Sequence, residues 1–412
     1  MCIRDRHTSF FRPGPAGRGS FRLVVNTLYY GDEGKCCLTS PEKGFAMSDE
    51  FIEHALHNIY RRNFNPKTDI EPAFFHAFVS TLNTAAGKGI RQAQRPEDDF
   101  LNALRHNTAV FAAFKTHRLQ NDVARQLMDS NGNLKPFERW KNDVQDITSH
   151  QCKAWLRTEY DTAVLRARQA ANWQQFQREK DVLPNLEWMP STSPNPGADH
   201  MPFWGTILPV DHPFWEQHRP GDRWNCKCDL RSTDKSATNV PQDSTVAHDP
   251  QPGLDNNPGS TAQIFAKSHP YIANAYPGAR EAVEKAVRKE ERKEEKKKIR
   301  KAIQGQKLTN RDFPHKVLVS RASIDEWLNQ PFKYMEEKAR MLTDIQSILE
   351  EAEYLGTAEK HKKMQKVAQS HIFKTKVKDI DAYIIVREWV DGTFTLHSIS
   401  DAQDFIKHVK RK

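Results

Sequence analysis

The sequence predicts a multidomain chain: a mainly α module with a loop-rich C-terminal part, a charged helical linker, and a small α+β domain at the end. Three observations carry this expectation. Apolar residues recur at helical spacing from Ser48 to about Trp188, the composition turns to Pro, Gly, Asp and His between about Pro190 and Pro258, and Asp391-Gly392 joins two strand-like runs. A chain of 412 residues has room for two or three separate cores.

Bulk properties narrow the class of function. With 28% charged residues and a net charge of +9, the chain carries a basic bias that makes nucleic acid a natural partner without requiring one. No run of 18 apolar residues occurs, so no membrane span is expected. The six cysteines, Cys2, Cys36, Cys37, Cys152, Cys226 and Cys228, are too few and too awkwardly spaced for a secreted disulfide framework. Reduced thiols in a cytoplasm are the expectation, and no cofactor is expected.

The first 47 residues are an uncertain N-terminus. "MCIRDR" lacks the apolar core of a signal peptide and resembles the translated end of a transposon-based sequencing adaptor, so residues 1–6 carry no argument. The natural start is expected near "VVNTLYYG" or upstream of it.

Each later element has its own signal. "DEFIEHALHNIYRRN" sets Phe51, Ala55 and Ile59 at helical spacing behind Ser48 as N-cap, and Phe100, Leu101, Leu104, Val110, Phe111 and Phe114 continue the pattern. "DSNGNLKPF" reads as a turn. The next forty residues lack Gly and Pro; Ile147, Trp155, Tyr160, Val164, Ala167 and Ala171 supply a buried face, with Arg157, Arg166 and Arg168 largely on others. Residues 276–312 form the linker, whose core "AVEKAVRKEERKEEKKKIRK" reads as a solvated helix or a nucleic-acid arm.

Within 313–412, "KVLVS" reads as a strand, "SIDEWLNQ" and "KYMEEKARMLTDIQSILEEAEYLG" as helices, and "YIIVREWVDGTFTLHSIS" as a β-hairpin. A two-residue turn at Asp391-Gly392 would set Val386 opposite His397, Ile384 opposite Ile399, and Arg387 opposite Leu396. His397 would then share a face with Ile384 and Val386, and Arg387, Trp389 and Ser398 would lie on the other.

The segment "GTILPVDHPFWEQHRPGDRWNCKC" concentrates chemistry. His200, His212 or His218, with Cys226 and Cys228, supply zinc-ligand types, but Cys-x-Cys in an extended strand sends its side chains to opposite sides. A cysteine nucleophile with His200 as base lacks a recognisable context. The structural reading is preferred: Pro209, Pro213 and Pro220 stiffen the backbone, Trp204, Phe214 and Trp215 anchor the loop on the helices, and the cysteines pack as small apolar groups. If a metal binds at all, the set is His200, His212, Cys226 and Cys228.

The same segment resembles the signature of the phage Mu F-like minor head, or head morphogenesis, proteins. The similarity falls on His200, Gly205, Pro209, Asp211, Pro213, Phe214, Trp215, Pro220, Trp224, Cys226 and Cys228. Upstream, "FLNALRHNTAVFAAFKTHR", "WLRTEYDTAVLRARQAANW" and "PNLEWM", and downstream "NNPGSTAQIFAKSHPY", resemble the same proteins, so the module spans 48–275 with its motif loop at 199–231. An Arg that usually precedes the motif His is missing from "NPGADH". The resemblance implies a phage or prophage minor head protein acting in capsid morphogenesis and DNA packaging. Its implied partners are portal, capsid and scaffold proteins and, non-specifically, DNA. Its implied location is the procapsid interior, with the host cytoplasm during assembly.

Residues 313–412 resemble the phage-associated branch of the barnase, EndoU, colicin and RelE-like nuclease fold. That resemblance implies metal-independent RNA cleavage by converging polar groups, with Ser320, His371, Lys374, Arg387, His397 and Ser398 as candidates. Read without it, His397 packs beside Ile384 and Val386, Arg387 is a surface strand residue, and His371 is a solvated helix-to-strand residue. Three functions stay open: a structural head protein with a passive tail, a vehicle for an RNA-cleaving effector, and a metal-binding regulator.

Overall fold

The computed structural model describes residues 47–61, 63–241, 249–359, 365–402 and 409–410. Cys2, Cys36, Cys37 and the proposed adaptor-derived residues lie outside them. The chain divides into two compact units between Val287 and Arg288.

The first unit is built on α1 (Asp49–Tyr60), α2 (Pro72–Ile90), α3 (Asp98–Ala124), α4 (Phe137–Asp143), α5 (Gln145–Ser149) and α6 (Trp155–Glu179). Ser48 caps α1 by accepting from Phe51 N, and Ile52, Ala55, Leu56 and Ile59 form its buried stripe. Pro72 opens α2, where it has no amide to satisfy, and the Glu71 carboxylate accepts from Phe74 N at 2.6 Å. Gly89 lets α2 press against α6, because a Cβ there would run into the Val164 carbonyl. The turn expected at "DSNGN" is present: Asp129 Oδ1 accepts from Asn131 N and Asn133 N, and Gly132 has φ +79°.

Two departures matter for the site. The forty-residue stretch is not one helix: a π-helical turn at His150–Ala154 interrupts it before α6. Arg166, expected away from the buried face, is fully buried on α6, where loop carbonyls replace its water.

The helical pattern also ends before Trp188. Asn185–Met189 is β1, the centre of a three-stranded antiparallel sheet with β2 (Ile207–Pro209) and β3 (Asp229–Thr233) in the order β2-β1-β3. Sequence alternation was too short to reveal these strands. Their inner face and the end of α6 close a small aromatic core of Trp173, Phe176, Trp188, Phe203, Phe214 and Trp215.

The charged segment forms α7 (Ala279–Ile303). Val283 and Val287 belong to the first unit's core, and Ile299 and Ile303 to the second's, so the apolar residues at its two ends are not solvated. The second unit continues with β4 (Lys307–Asn310), β5 (Phe313–Leu318), α8 (Arg321–Asn329), α9 (Met335–Met341), α10 (Ile345–Glu351), β6 (Glu353–Glu359), β7 (Val367–Val377), β8 (Ile380–Trp389), β9 (Phe394–Ser400) and β10 (Val409–Lys410). The long helix read from Lys333 to Gly356 is therefore two short helices and a strand. The sheet order is β10-β6-β7-β8-β9-β5-β4, with β5 and β9 parallel and the other neighbours antiparallel.

The β8–β9 hairpin corrects the expected register. Trp389 N donates to Thr393 O, so the turn holds three residues and ends on Gly392 at φ +79°. That extra residue moves Val386 opposite Leu396 and Arg387 opposite Thr395. A bulge at His397 then restores the expected pair Ile384 and Ile399. Without the bulge, either Leu396 or Ile399 would face away from the core that holds both.

Candidate functional site

The motif loop condenses around His200. His200 precedes a 3-10 turn at Met201–Phe203, and Gly205 (φ +76°) turns the chain into β2. A four-residue helical turn, Phe214–Gln217, follows, and Gly221 (φ +90°) and Asn225 (φ +62°) reverse the backbone again. Cys226 and Cys228 therefore lie in a loop ahead of β3, not in an extended strand. The objection drawn from strand alternation does not apply to them.

The loop brings three ligand types together. His200 Nδ1 lies 3.4 Å from Cys226 Sγ and 3.7 Å from Cys228 Sγ. The other ring nitrogen, Nε2, contacts Asp222 Oδ1 at 2.6 Å, and Asp222 Oδ2 accepts from Arg219 N at 3.2 Å. His200, Asp222 and Cys228 are buried and Cys226 is half-buried. Burial alone would lower the His200 pKa, but hydrogen bonding to Asp222 and Cys228 raises it to about 9. The Cys226 contact lowers the Cys228 thiol despite burial, with His200 and the Trp188 indole acting in the same direction; Cys226 itself is raised by Cys228 and by burial. These residues have the chemistry to hold a soft cation.

His212 does not join them. Its Nδ1 accepts from Phe214 N at 3.1 Å and so shapes the turn, while the His218 ring packs against Phe203 and Phe214. The remaining motif residues hold the loop in place. Trp215, fully buried, donates from Nε1 to Pro209 O at 2.9 Å; Pro220 is buried; Asp211 pairs with Lys180 at 2.8 Å. Trp224 stacks on Phe265 with ring centroids 5.8 Å apart.

Sequence reasoning missed two residues of this site. Asp222 had only the Pro-Gly-Asp turn before Trp224 to mark it. Arg166 had no sequence signal, yet it donates to Ile264 O, Gly221 O, Leu254 O and Asn256 O.

In the second unit the candidate residues separate. His371 is buried within β7, not solvated at a helix-to-strand junction. It pairs opposite Val386 on the face that carries Phe373 and Ile384. There Tyr354 Oη lies 2.9 Å from His371 Nδ1, and His371 Nε2 lies 3.0 Å from Glu388 Oε2. Gln369 Nε2 donates to the same Glu388 oxygen at 2.6 Å. Burial lowers the His371 pKa despite Glu388, and Gln369 and His371 lower that of Glu388 despite burial. Tyr354, Gln369 and Glu388 were not among the sequence candidates.

Lys374, Arg387 and Ser398 occupy the opposite face by register, and Lys374 pairs with Asp381 at 2.8 Å. The bulge takes His397 out of the pairing with Val386 and sets it near Arg387, whose charge adds to burial in lowering the His397 pKa to about 4. Ser320 caps α8 by accepting from Ser323 N at 3.0 Å. Five of the six nuclease candidates thus split between two faces of one sheet, and Ser320 caps a helix outside it.

Residues 118–231 match the family described as Phage Mu protein F like protein. Residues 286–396, which take in part of the charged helix and most of the region 313–412 read as nuclease-like, match the family described as Large polyvalent protein-associated domain 3. No curated protein and no solved structure matches the chain.

Proposed function

We propose that this chain is a minor head protein of a phage or prophage, working in head morphogenesis through its first unit. The observation that carries the reading is the coincidence of the Mu F-like match, which ends at Arg231, with the motif loop and the strand β3 that closes it. In this reading the unit sits inside the procapsid beside the portal and contacts capsid or scaffold proteins. The net charge of +9 supports non-specific contact with packaged DNA by counterion release. Assembly takes place in the host cytoplasm, and none of the described helices is long and apolar enough to cross a membrane.

The test is to quantify the protein by mass spectrometry in procapsids purified with and without the portal. Recovery in procapsids that falls when the portal is missing supports the reading. Equal exclusion from both overturns it.

A second reading is favoured by the Tyr354, His371 and Glu388 cluster: the second unit is an RNA-cleaving effector carried by the first. A carboxylate beside a neutral imidazole can draw the proton from a ribose hydroxyl, and a nearby phenol can stabilise charge on phosphate. RNA cleavage by the full chain in EDTA, lost in His371→Ala, would support it. Intact RNA of several classes after incubation with folded protein would end it.

A further inference from the structure

We propose that His200, Cys226 and Cys228 bind one zinc ion that locks the motif loop. A tetrahedral zinc with Zn–S of about 2.3 Å and Zn–N of about 2.0–2.1 Å places sulfur and nitrogen about 3.6 Å apart. His200 Nδ1 stands 3.4 Å and 3.7 Å from the two sulfurs, and the three ligand atoms all lie within 4.8 Å of one another. Two edges of a coordination tetrahedron are thus in place.

The surroundings fit the same ion. Asp222 Oδ1, 2.6 Å from His200 Nε2, holds the ring so that Nδ1 faces the sulfurs, the carboxylate–histidine arrangement that orients zinc-binding imidazoles. The site is walled by Trp188, whose ring centroid lies 5.1 Å from that of His200, and by Phe203. Trp188 Nε1 is buried without a conventional hydrogen-bond partner and favours a thiolate at Cys228. Two thiols and an imidazole are a soft donor set that suits zinc over magnesium or calcium.

Among the described residues the cluster holds three ligating side chains, and the half-buried Cys226 side leaves the fourth position open to a further ligand. Binding would displace the remaining thiol and imidazolium protons to solvent. The ion would join the turn before Met201 to the loop before β3, closing the segment that carries the motif. This inference does not depend on the head-protein reading.

The test uses the full chain purified without chelators or metal-affinity resin. The expected result is about one zinc per chain by elemental mass spectrometry, and, after exchange with cobalt, intense thiolate-to-cobalt absorption in the near ultraviolet. Cys226→Ser and Cys228→Ser should each weaken that absorption and together remove it, and Asp222→Asn should weaken zinc binding by about 10- to 100-fold while leaving one ion per chain. The cobalt spectrum of the unsubstituted protein stands even if a cysteine variant fails to fold. Folded protein that carries no zinc and gives no thiolate band with added cobalt overturns the proposal. So does a chain two hydrogens lighter through a Cys226–Cys228 disulfide, or a cobalt band that survives when both cysteines are replaced by serine.

Discussion

Arg166 on α6 donates from Nη1 to the carbonyl of Gly221 at 2.8 Å, so a helix guanidinium holds the motif loop by its backbone. The same side chain donates from Nε to Ile264 O at 2.6 Å and from Nη2 to Asn256 O at 3.0 Å. A buried guanidinium is tolerated here because these oxygens replace its water, and burial lowers its pKa to about 9.

Arg166→Lys should therefore unfold the loop more readily although the charge is kept. An ammonium cannot reproduce a planar fork of donors. The expected loss is on the order of 3 kcal/mol, as for several charged hydrogen bonds removed together. Urea denaturation checks it, and a loss below about 1 kcal/mol would contradict the role assigned to the side chain.

Trp215→Ala should destabilise the first unit by about 3 kcal/mol or more, since a large, fully buried ring is removed. Loss of its indole N–H also removes one of two donors to Pro209 O, which keeps the bond from His212 N. The same denaturation experiment reads the change; an effect under about 1 kcal/mol would mean the ring is not an anchor.

Lys115 and Glu159 form an ion pair at 2.8 Å with both side chains fully buried, and Tyr271 Oη donates to Glu159 Oε1 at 3.0 Å. Glu159→Gln should cost about 3–5 kcal/mol, because it strands the ammonium away from water. Replacing both partners, Lys115→Met with Glu159→Leu, should recover most of that loss. A double variant no more stable than Glu159→Gln would argue that packing, not the unpaired charge, sets the cost.

Acid should loosen the β8–β9 hairpin before it unfolds the chain. The folded pKa of His397, about 4, lies below the roughly 6.5 of an unfolded histidine, so the unfolded chain binds the proton first as pH falls. Stability is full above about pH 6.5, declines towards pH 4 and levels off below. His371, also lowered, adds to the slope. Hydrogen exchange of the β8 and β9 amides across this range reads it, and His397→Gln should flatten the decline. An unchanged slope in that variant would show that His397 does not titrate as described.

Local chemistry made much of the first unit legible. Ser48 capped its helix as read, the Asn-Gly turn formed where Asp129 could gather two amides, and Trp215 went to the core as its size and neighbours required. The strands β1 to β3 were not legible, because runs of three to five residues leave no alternation to count. The spacing of Leu396 and Ile399 did hold a signal. Two apolar residues three apart cannot share one face of a regular strand, so a bulge between them was implied.

By itself, then, the sequence determined the helical module, the existence of the hairpin, and the motif whose residue types the family match now accompanies. These follow from interactions between near neighbours. The tertiary structure alone decided that Arg166 is buried, that Asp222 orients His200, and that His371 meets Glu388. Such pairings are set by backbone reversals at Gly221 and Asn225 and by the register of β7 against β8, which act at distances that periodicity does not encode.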